Sequence, residues 1–154
     1  MTQPDAAVAL YARLLDAWNA RDAQAFAALF APDGSSIGFD GSEMQGPGEI
    51  GRTLAKIFQH HVTAQYVAVV REARVVGAGV TVVRAAAGMV PRGGDGLNAA
   101  VNAIQVLVAI DDNGEQRVAL FQSTPAAFHG RPEAVDAMTA ELTSVLRSGI
   151  TVRY

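Results

Sequence analysis

Apolar residues in the first part of the chain recur at intervals of three and four, which places them on one face of an α-helix. Charged residues such as Arg13 and Asp16 fall outside this stripe. The pattern predicts an amphipathic helix over residues 5–20, with an apolar face formed by Val8, Tyr11, Leu15 and Trp18.

Two further helices and a short strand are predicted next. Asp22 can accept hydrogen bonds from the free N–H groups of a new helical turn. Phe26, Leu29 and Phe30 then recur at helical spacing until Pro-Asp-Gly at residues 32–34 ends the helix. The stretch 35–40 predicts a brief strand. After a glycine-rich segment, the apolar spacing predicts a third helix over residues 49–60 or 49–61.

From Thr63 onward the pattern becomes partly alternating, with many valines and short glycine-containing breaks. Such breaks are typical of hairpins, and strands joined by short turns pair antiparallel. We predict strands at residues 64–76, 79–90, 98–110 and 117–127. Pro132 and the later apolar spacing predict a last helix that ends near Gly149, and residues 150–154 form a terminal strand or a tail. This order of elements predicts an α+β fold.

Composition narrows the class of protein. Of 154 residues, 50% are hydrophobic, 18% are charged and none is cysteine, which predicts one globular domain over residues 1–154 without thiolate metal sites. A net charge of −3 argues against nucleic acid or an anionic membrane as partner. Because the N-terminal segment lacks the pattern of a signal peptide or membrane span, we expect a cytoplasmic protein. No common nucleophile, phosphate-loop or zinc-protease motif occurs.

The aromatic residues are unevenly placed. Seven of the ten lie between residues 11 and 66, whereas residues 67–120 contain none and are rich in valine and alanine. A curved sheet of such small side chains leaves space that Trp18, Phe30 and Phe58 only partly fill, which predicts a ligand cavity beside these three residues. Close packing of helix on sheet without a void is the alternative, and the sequence leaves both open.

Several polar side chains occur inside predicted strands, where burial without a partner is costly. Asn102, Gln122 and Thr124 are candidate ligand-binding residues, with solvent exposure or ordinary buried hydrogen bonding as the alternative. Strand alternation puts Gln122 and Thr124 on one face without showing whether that face is concave. For Gln105 we prefer ordinary buried hydrogen bonding. Arg84 can bind a carboxylate or enolate through its planar guanidinium, although surface exposure is the simpler expectation.

Asp40 is the best-placed carboxylate for proton transfer, because it follows the first predicted strand near the mouth of the expected cavity. A role as an ordinary turn residue is the alternative. Tyr11 is a candidate catalytic residue that stabilises an enolate by hydrogen bonding. His60 and His61 point about 100° apart on a helix and cannot easily chelate one ion, so we expect neither a metal nor a cofactor.

Three segments resemble a known family. Residues 18–34, WNARDAQAFAALFAPDG, are similar to the family's opening signature, and residues 46–58, GPGEIGRTLAKIF, are similar to its helix entry. Residues 119–142, ALFQSTPAAFHGRPEAVDAMTAEL, resemble the closing segment of one subgroup. The chain thus resembles the nuclear transport factor 2-like, or SnoaL-like, superfamily, and within it the SgcJ/EcaC-type subgroup. That subgroup contains small proteins of natural-product biosynthesis, including enediyne biosynthesis.

The resemblance implies a cone-shaped α+β barrel, in which a curved, mostly antiparallel sheet wraps around N-terminal helices and a C-terminal helix follows. It also implies a pocket inside the cone and a homodimer through the sheet. The ketosteroid isomerase and limonene-type epoxide hydrolase patterns cannot be carried over. The second acid of the isomerase has no counterpart, and Arg84 has no acidic companions in the neighbouring strand segments.

Three functions stay open for this fold. In the leading hypothesis, the pocket accepts an apolar, polyketide-like intermediate and assists its cyclisation, isomerisation or dehydration without a cofactor, with Asp40 as the base. The second is a noncatalytic binding or accessory protein, with a biosynthetic enzyme as its partner. The third is a dimeric scaffold whose cone is filled.

Overall fold

The structure, a computed structural model, describes residues 1–154. The α-helices are α1 (Gln3–Asn19), α2 (Ala23–Ala28), α3 (Gly46–His60) and α4 (Pro132–Ser148). The strands are β1 (Phe30–Ile37), β2 (Glu43–Gln45), β3 (Gln65–Gly77), β4 (Val80–Val90), β5 (Ala103–Asp112), β6 (Glu115–Pro125) and β7 (Val152–Arg153). None of the helices combines the length and the apolar character needed to span a lipid bilayer.

The seven strands form one curved sheet in the order β2-β1-β6-β5-β4-β3-β7. Neighbouring strands pair antiparallel, except that β1 runs parallel to β6 and β3 runs parallel to β7. The predicted α+β fold with a curved, mostly antiparallel sheet is therefore confirmed. The sheet stays open, because β2 and β7 at its two edges do not pair with each other.

Helices cover both faces of the sheet. The first three helices lie on the face that we call the inner face, and the main core between them includes Leu10, Leu14, Leu54, Val83 and Leu107. Helix α4 lies on the opposite, outer face over β3 and β4, where a smaller core forms. The chain thus places its N-terminal helices against one side of the sheet and its last helix against the other.

Local hydrogen bonds explain where α1 and α2 begin. Thr2 accepts a hydrogen bond from the Asp5 backbone N–H, and the Asp5 carboxylate accepts one from the Thr2 N–H, so α1 begins two residues earlier than predicted. The prediction for Asp22 is confirmed, since its carboxylate accepts from the Ala25 N–H at the start of α2.

The first strand begins earlier than the sequence pattern indicates. Phe30, which we predicted in a helix, is the first residue of β1, and Gly34 lies inside the strand rather than in a turn. Pairing between β1 and β6 shifts register between Phe30 and Ser35. A Cβ at Gly34 would lie 2.4 Å from the carbonyl oxygen of Val118, so glycine permits this close approach of two backbones.

The start of β5 also differs from the prediction. Residues 98–102 do not continue the strand, because the Asn98 side chain accepts a hydrogen bond from the Ala100 N–H and begins a single 3₁₀ turn. The strand therefore begins at Ala103. The C-terminal segment, for which strand and tail were both open, forms the short strand β7 beside β3.

Candidate functional site

A cavity of about 550 Å³ lies between the inner face of the sheet and helices α1 and α3. This volume falls within the range of about 300–1,000 Å³ that is typical of small-molecule sites. Its wall is mostly apolar and includes Trp18, Phe26, Leu54, Ile57 and Phe121. Of the two arrangements that the sequence left open, the structure therefore shows the one with a cavity.

Trp18 is the centre of the aromatic wall. Its ring centroid lies 5.3 Å from that of Phe58, 5.5 Å from that of Tyr66 and 6.2 Å from that of Phe26, in edge-on or tilted arrangements. The indole N–H donates a 2.9 Å hydrogen bond to the backbone carbonyl of Ala64. Ring packing and this bond together hold the indole in one orientation at the cavity wall.

Four polar side chains, which we call the floor network, meet at the inner face of the sheet. The Tyr11 hydroxyl donates to Gln105 Oε1 at 2.6 Å, and Gln105 Nε2 donates to Ser123 Oγ at 3.1 Å. The Tyr66 hydroxyl lies beside Ser123 and Gln105. Tyr66 and Ser123 line the cavity, whereas Tyr11 and Gln105, each only 1% exposed, lie behind them.

Both tyrosines of the floor network keep their protons near neutral pH. Burial raises the pKa of Tyr11 well above its ordinary value, and the nearby Tyr66 raises it further. Burial also raises the pKa of Tyr66, against smaller opposing effects of hydrogen bonds from Ser123 and Gln105. The cavity floor therefore presents neutral hydroxyl groups.

Three carboxylates mark the opposite end of the cavity. Asp40, Glu43 and Glu49 line the cavity but are themselves exposed, so they lie at its mouth. No lysine, arginine or histidine side chain lines the cavity. Asp40 Oδ1 accepts a 2.9 Å hydrogen bond from the Ser42 N–H, and this bond lowers the Asp40 pKa. Because a lowered pKa makes a carboxylate a weaker base, Asp40 has the features of a turn residue at the mouth.

The other predicted residues near the cavity contact it in different ways. Trp18 and Asp40 are part of the lining. Phe58 and Phe30 are buried behind the lining and contact the rings of Trp18 and Phe26, respectively. Tyr11 lies behind the floor, where its hydroxyl donates a hydrogen bond to Gln105 Oε1. The two phenylalanines and Tyr11 therefore support the wall and the floor without being part of the lining.

Three of the predicted ligand-binding residues lie on the outer face, away from the cavity. Gln122 and Thr124 share a face, as alternation predicted, but Phe121 and Ser123 occupy the inner face instead. Arg84 lies on the outer face too, and its side chain is half exposed. Glu72 of the neighbouring strand β3 lies 3.7 Å from it, which corrects the expectation that Arg84 has no acidic companion. The proposal that these three side chains bind a ligand in the cavity is therefore corrected, because their strands turn them away from it. For Arg84 the structure shows the simpler alternative, surface exposure.

Asn102 is buried but also lies away from the cavity. Its Nδ2 donates a 2.9 Å hydrogen bond to Thr139 Oγ1 of helix α4, and its backbone carbonyl accepts from the Ala126 N–H. Asn102 Oδ1 has no hydrogen-bond partner. The residue therefore joins the start of β5 to α4, which corrects the expectation that its side chain reaches the cavity.

The two polar residues of the cavity floor, Tyr66 and Ser123, were not predicted from the sequence. Ser123 lies between the two polar residues that we singled out, so reversing the assignment of strand faces would have found it. Tyr66 gave a weaker signal as the first aromatic residue of a valine-rich strand. No group of three or more His, Asp and Glu side chains is arranged to hold a metal ion, and His60 and His61 are exposed.

Solved structures share this fold. A domain of unknown function with a cystatin-like fold from Nostoc punctiforme is 19% identical, with a TM-score of 0.77, covering 96% of this chain and 97% of that chain. A ketosteroid isomerase-like protein from Erwinia carotovora atroseptica is 17% identical, with a TM-score of 0.63, covering 80% and 95%. An NTF-2 like protein of unknown function from Shewanella oneidensis is 14% identical, with a TM-score of 0.60, covering 78% and 97%. At these identities the similarity shows the fold alone.

A search of curated proteins found no significant match. The family model described as the SnoaL-like domain matches residues 11–115, which is more than half of the chain. The matched region runs from Tyr11 in α1 to Glu115, the first residue of β6, and it includes the mouth carboxylates and three of the four residues of the floor network. The chain therefore belongs to the SnoaL-like domain family.

Proposed function

We propose that this protein binds a largely apolar small molecule, uncharged or cationic, in the cavity between α1, α3 and the sheet. The observation that carries the proposal is the cavity of about 550 Å³, with an aromatic and aliphatic wall and hydroxyl groups of Tyr66 and Ser123 at its floor. A mostly apolar lining with a few converging polar groups is the usual form of a ligand site.

The charge at the mouth supports the part of the proposal that concerns ligand charge. Asp40, Glu43 and Glu49 give the mouth a negative potential, and no basic side chain of the lining offsets it. A carboxylate or phosphate on a ligand would meet like charges there, whereas an amine would be attracted. The site therefore favours a neutral molecule or one with a cationic group at the mouth.

A polyketide-like intermediate is the ligand class that we propose within this description. Such a molecule combines an apolar carbon skeleton with carbonyl groups, which suits an apolar wall that ends in hydroxyls. The resemblance of residues 119–142 to the SgcJ/EcaC-type subgroup supports a role in secondary-metabolite biosynthesis, with enediyne biosynthesis as one such pathway.

We also propose that a second copy of the chain covers the outer face of the sheet. Helix α4 lies over β3 and β4, and beyond it Val106, Val108 and Leu120 are only half-buried. Glu72 and Arg84 lie on the same face with opposite charges. A surface with an apolar centre and both signs of charge can pair with itself around a two-fold axis.

A general acid–base enzyme is the second candidate function, because Asp40 lines the same cavity as Tyr66. The hydrogen bond from Ser42 and the lowered Asp40 pKa favour the binding function instead. The enzyme function and the binding function predict different rates for the exchange of the methyl hydrogens of 2-acetylnaphthalene with D₂O, which NMR follows. A binding protein leaves the exchange rate unchanged. An acceleration that the variant Asp40→Asn abolishes would instead support the enzyme.

Energy transfer from Trp18, the only tryptophan of the chain, tests the binding proposal. The probe is 6-propionyl-2-(dimethylamino)naphthalene, a neutral fluorescent ketone that absorbs where tryptophan emits. Because Trp18 lines the cavity, we expect saturable quenching of its emission together with sensitised emission of the probe.

Two variants on α3 make this test specific for the cavity. Thr53 lines the cavity, so Thr53→Phe fills part of it, whereas Gln59 is exposed and Gln59→Phe adds the same ring outside. Overpacking costs about 1–3 kcal/mol, so we expect Thr53→Phe to weaken binding at least about fivefold and Gln59→Phe to leave it unchanged. Absence of saturable transfer, or equal affinities of the two variants, would contradict the proposal.

The proposed charge preference has its own test in three naphthalene ligands of one skeleton. 2-Naphthylmethanol is neutral, 2-naphthylmethylamine is cationic and 2-naphthylacetate is anionic at neutral pH. We expect the amine to bind at least as well as the alcohol and the carboxylate to bind more weakly, with differences that shrink as salt is added. A carboxylate that binds as tightly as the alcohol would show that the mouth does not select by charge.

A further inference from the structure

The hydrogen bonds of the floor network run in one direction, toward the cavity. Gln105 Oε1 can only accept, so the 2.6 Å contact with Tyr11 fixes the tyrosine hydroxyl as the donor. The same contact orients the amide of Gln105, whose Nε2 then donates to Ser123 Oγ at 3.1 Å. Ser123 Oγ accepts this hydrogen bond from Gln105, so its own hydroxyl hydrogen is available to another partner.

The hydroxyl groups of Ser123 and Tyr66 hold at least one donor that can face the cavity. Each carries one hydroxyl hydrogen and the two lie beside each other, so even a hydrogen bond between them uses only one of the two hydrogens. Gln105 Oε1 already accepts the short bond from Tyr11. The remaining hydroxyl hydrogen can therefore point into the cavity, because Ser123 and Tyr66 are the two members of the network that line it.

We propose that the floor of the cavity recognises a hydrogen-bond acceptor, a carbonyl oxygen at the inner end of the ligand. This inference rests on the proposed ligand-binding function and names the group that the ligand presents to Tyr66 and Ser123. These two residues contact the oxygen. Gln105 and Tyr11 are positioning residues, since they touch only other members of the network and set the direction of its hydrogen bonds.

The two ends of the cavity also orient the ligand. The acceptor oxygen faces the neutral hydroxyls at the floor, and any cationic group faces Asp40, Glu43 and Glu49 at the mouth. Burial supports this arrangement, because it raises the pKa of Tyr66 and thereby keeps the phenol a donor over the physiological range. An apolar molecule without an acceptor still fits the wall, but it leaves the surplus donor without a partner.

A pair of planar isosteres tests the inference. 2-Acetylnaphthalene carries a carbonyl group where 2-isopropenylnaphthalene carries a C=CH₂ group, so the two differ in the acceptor oxygen and little else. Calorimetry gives the affinity of each for the parent protein and for Tyr66→Phe and Ser123→Ala. One hydrogen bond corresponds to about a two- to tenfold difference in affinity, so we expect the ketone's advantage to fall by that factor in Tyr66→Phe. Ser123→Ala, expected to change the advantage in the same direction, keeps the test informative if one variant fails to fold.

The infrared stretch of the bound ketone reports the hydrogen bond directly. We expect the carbonyl band to lie at lower frequency in the parent protein than in Tyr66→Phe, and to move part of the way in Tyr11→Phe. A purely structural role of Tyr11 would change stability without moving this band. The shift in Tyr11→Phe therefore separates a positioning role from a packing role.

The outcomes distinguish this inference from the binding function on which it rests. If neither isostere binds, the proposed function fails. If both bind with a ratio that Tyr66→Phe and Ser123→Ala leave unchanged, and the carbonyl band stays at its unbonded frequency, the acceptor inference is wrong while the binding function stands. A ketone preference and a carbonyl shift that both variants remove would support the inference.

Discussion

Replacing Gln105 by methionine should destabilise the protein through the loss of two hydrogen bonds rather than through a change of packing. Methionine has a similar length and flexibility, but its sulfur is only a weak acceptor for the hydrogen bond of the Tyr11 hydroxyl, and it has no donor for Ser123. Both Gln105 and Tyr11 are 1% exposed, so water cannot replace the lost partner of the Tyr11 hydroxyl. Tyr11 and Gln105 thus form a hydrogen-bonded pair that is buried from solvent.

The magnitude follows from the two bonds. A buried hydroxyl without a partner costs about 1–3 kcal/mol, whereas Ser123 keeps Tyr66 as a neighbour and loses less. We therefore expect Gln105→Met to lower the free energy of unfolding by about 2 kcal/mol. Tyr11→Phe should cost about 1 kcal/mol, because it leaves Gln105 Oε1 without its donor. The double variant removes both polar groups, so it should cost less than the sum by about 1 kcal/mol or more.

Urea denaturation followed by Trp18 fluorescence measures these values. The single tryptophan gives one signal, and all variants are compared at one protein concentration, because an associating protein has a concentration-dependent stability. If the two single changes add to the double change within about 0.3 kcal/mol, Tyr11 and Gln105 do not stabilise each other and the account of the floor network is refuted.

Three further predictions concern alkaline stability, the register of β1 and the outer face. Burial raises the pKa of both floor tyrosines, Tyr11 and Tyr66. The free energy of unfolding should therefore be at its full value below about pH 10, where tyrosine in the unfolded chain titrates, and fall as the pH rises further. Denaturation curves at pH 9–11 measure this dependence, and phenylalanine at both positions should flatten it. Gly34→Ala should cost about 2–3 kcal/mol in thermal or urea unfolding, because its Cβ meets a backbone carbonyl, whereas Gly96→Ala, with open space around it, should stay within about 0.5 kcal/mol; equal costs would contradict the close approach of β1 to β6. Val106→Asp should convert a dimer to a monomer in sedimentation velocity while Ala55→Asp on α3 does not, and a parent protein that is monomeric at all concentrations would overturn the proposed second copy.

Helix positions followed from the sequence because their signals are local. The stripe through Tyr11 and Trp18 and the cap at Asp22 depend on residues within a few positions of each other, and the predicted starts of α1 and α2 lie within two residues of the observed ones. The assignment of Phe30 was wrong for a nonlocal reason. Whether Pro-Asp-Gly ends a helix or bulges a strand is decided by the partner strand β6, whose backbone passes close to Gly34.

The site was harder to predict because the direction of each strand is set by its neighbours. Alternation in β6 allowed either Gln122 or Ser123 to face the helices, and the apolar Phe121 selects the face that includes Ser123. Gln105 was correctly expected to make buried hydrogen bonds, but its partners, Tyr11 and Ser123, are 94 and 18 residues away along the chain. No local pattern contains such a network.

A crystal structure of the protein with 2-acetylnaphthalene shows whether this cavity holds the ligand. We expect electron density for the ligand beside Trp18 and Phe121, with the carbonyl oxygen within hydrogen-bonding distance of the Tyr66 hydroxyl and the naphthalene ring against the apolar wall. Ligand density only at the surface, or a cavity that contains water alone at saturating ligand, would contradict the claim that this cavity is the binding site.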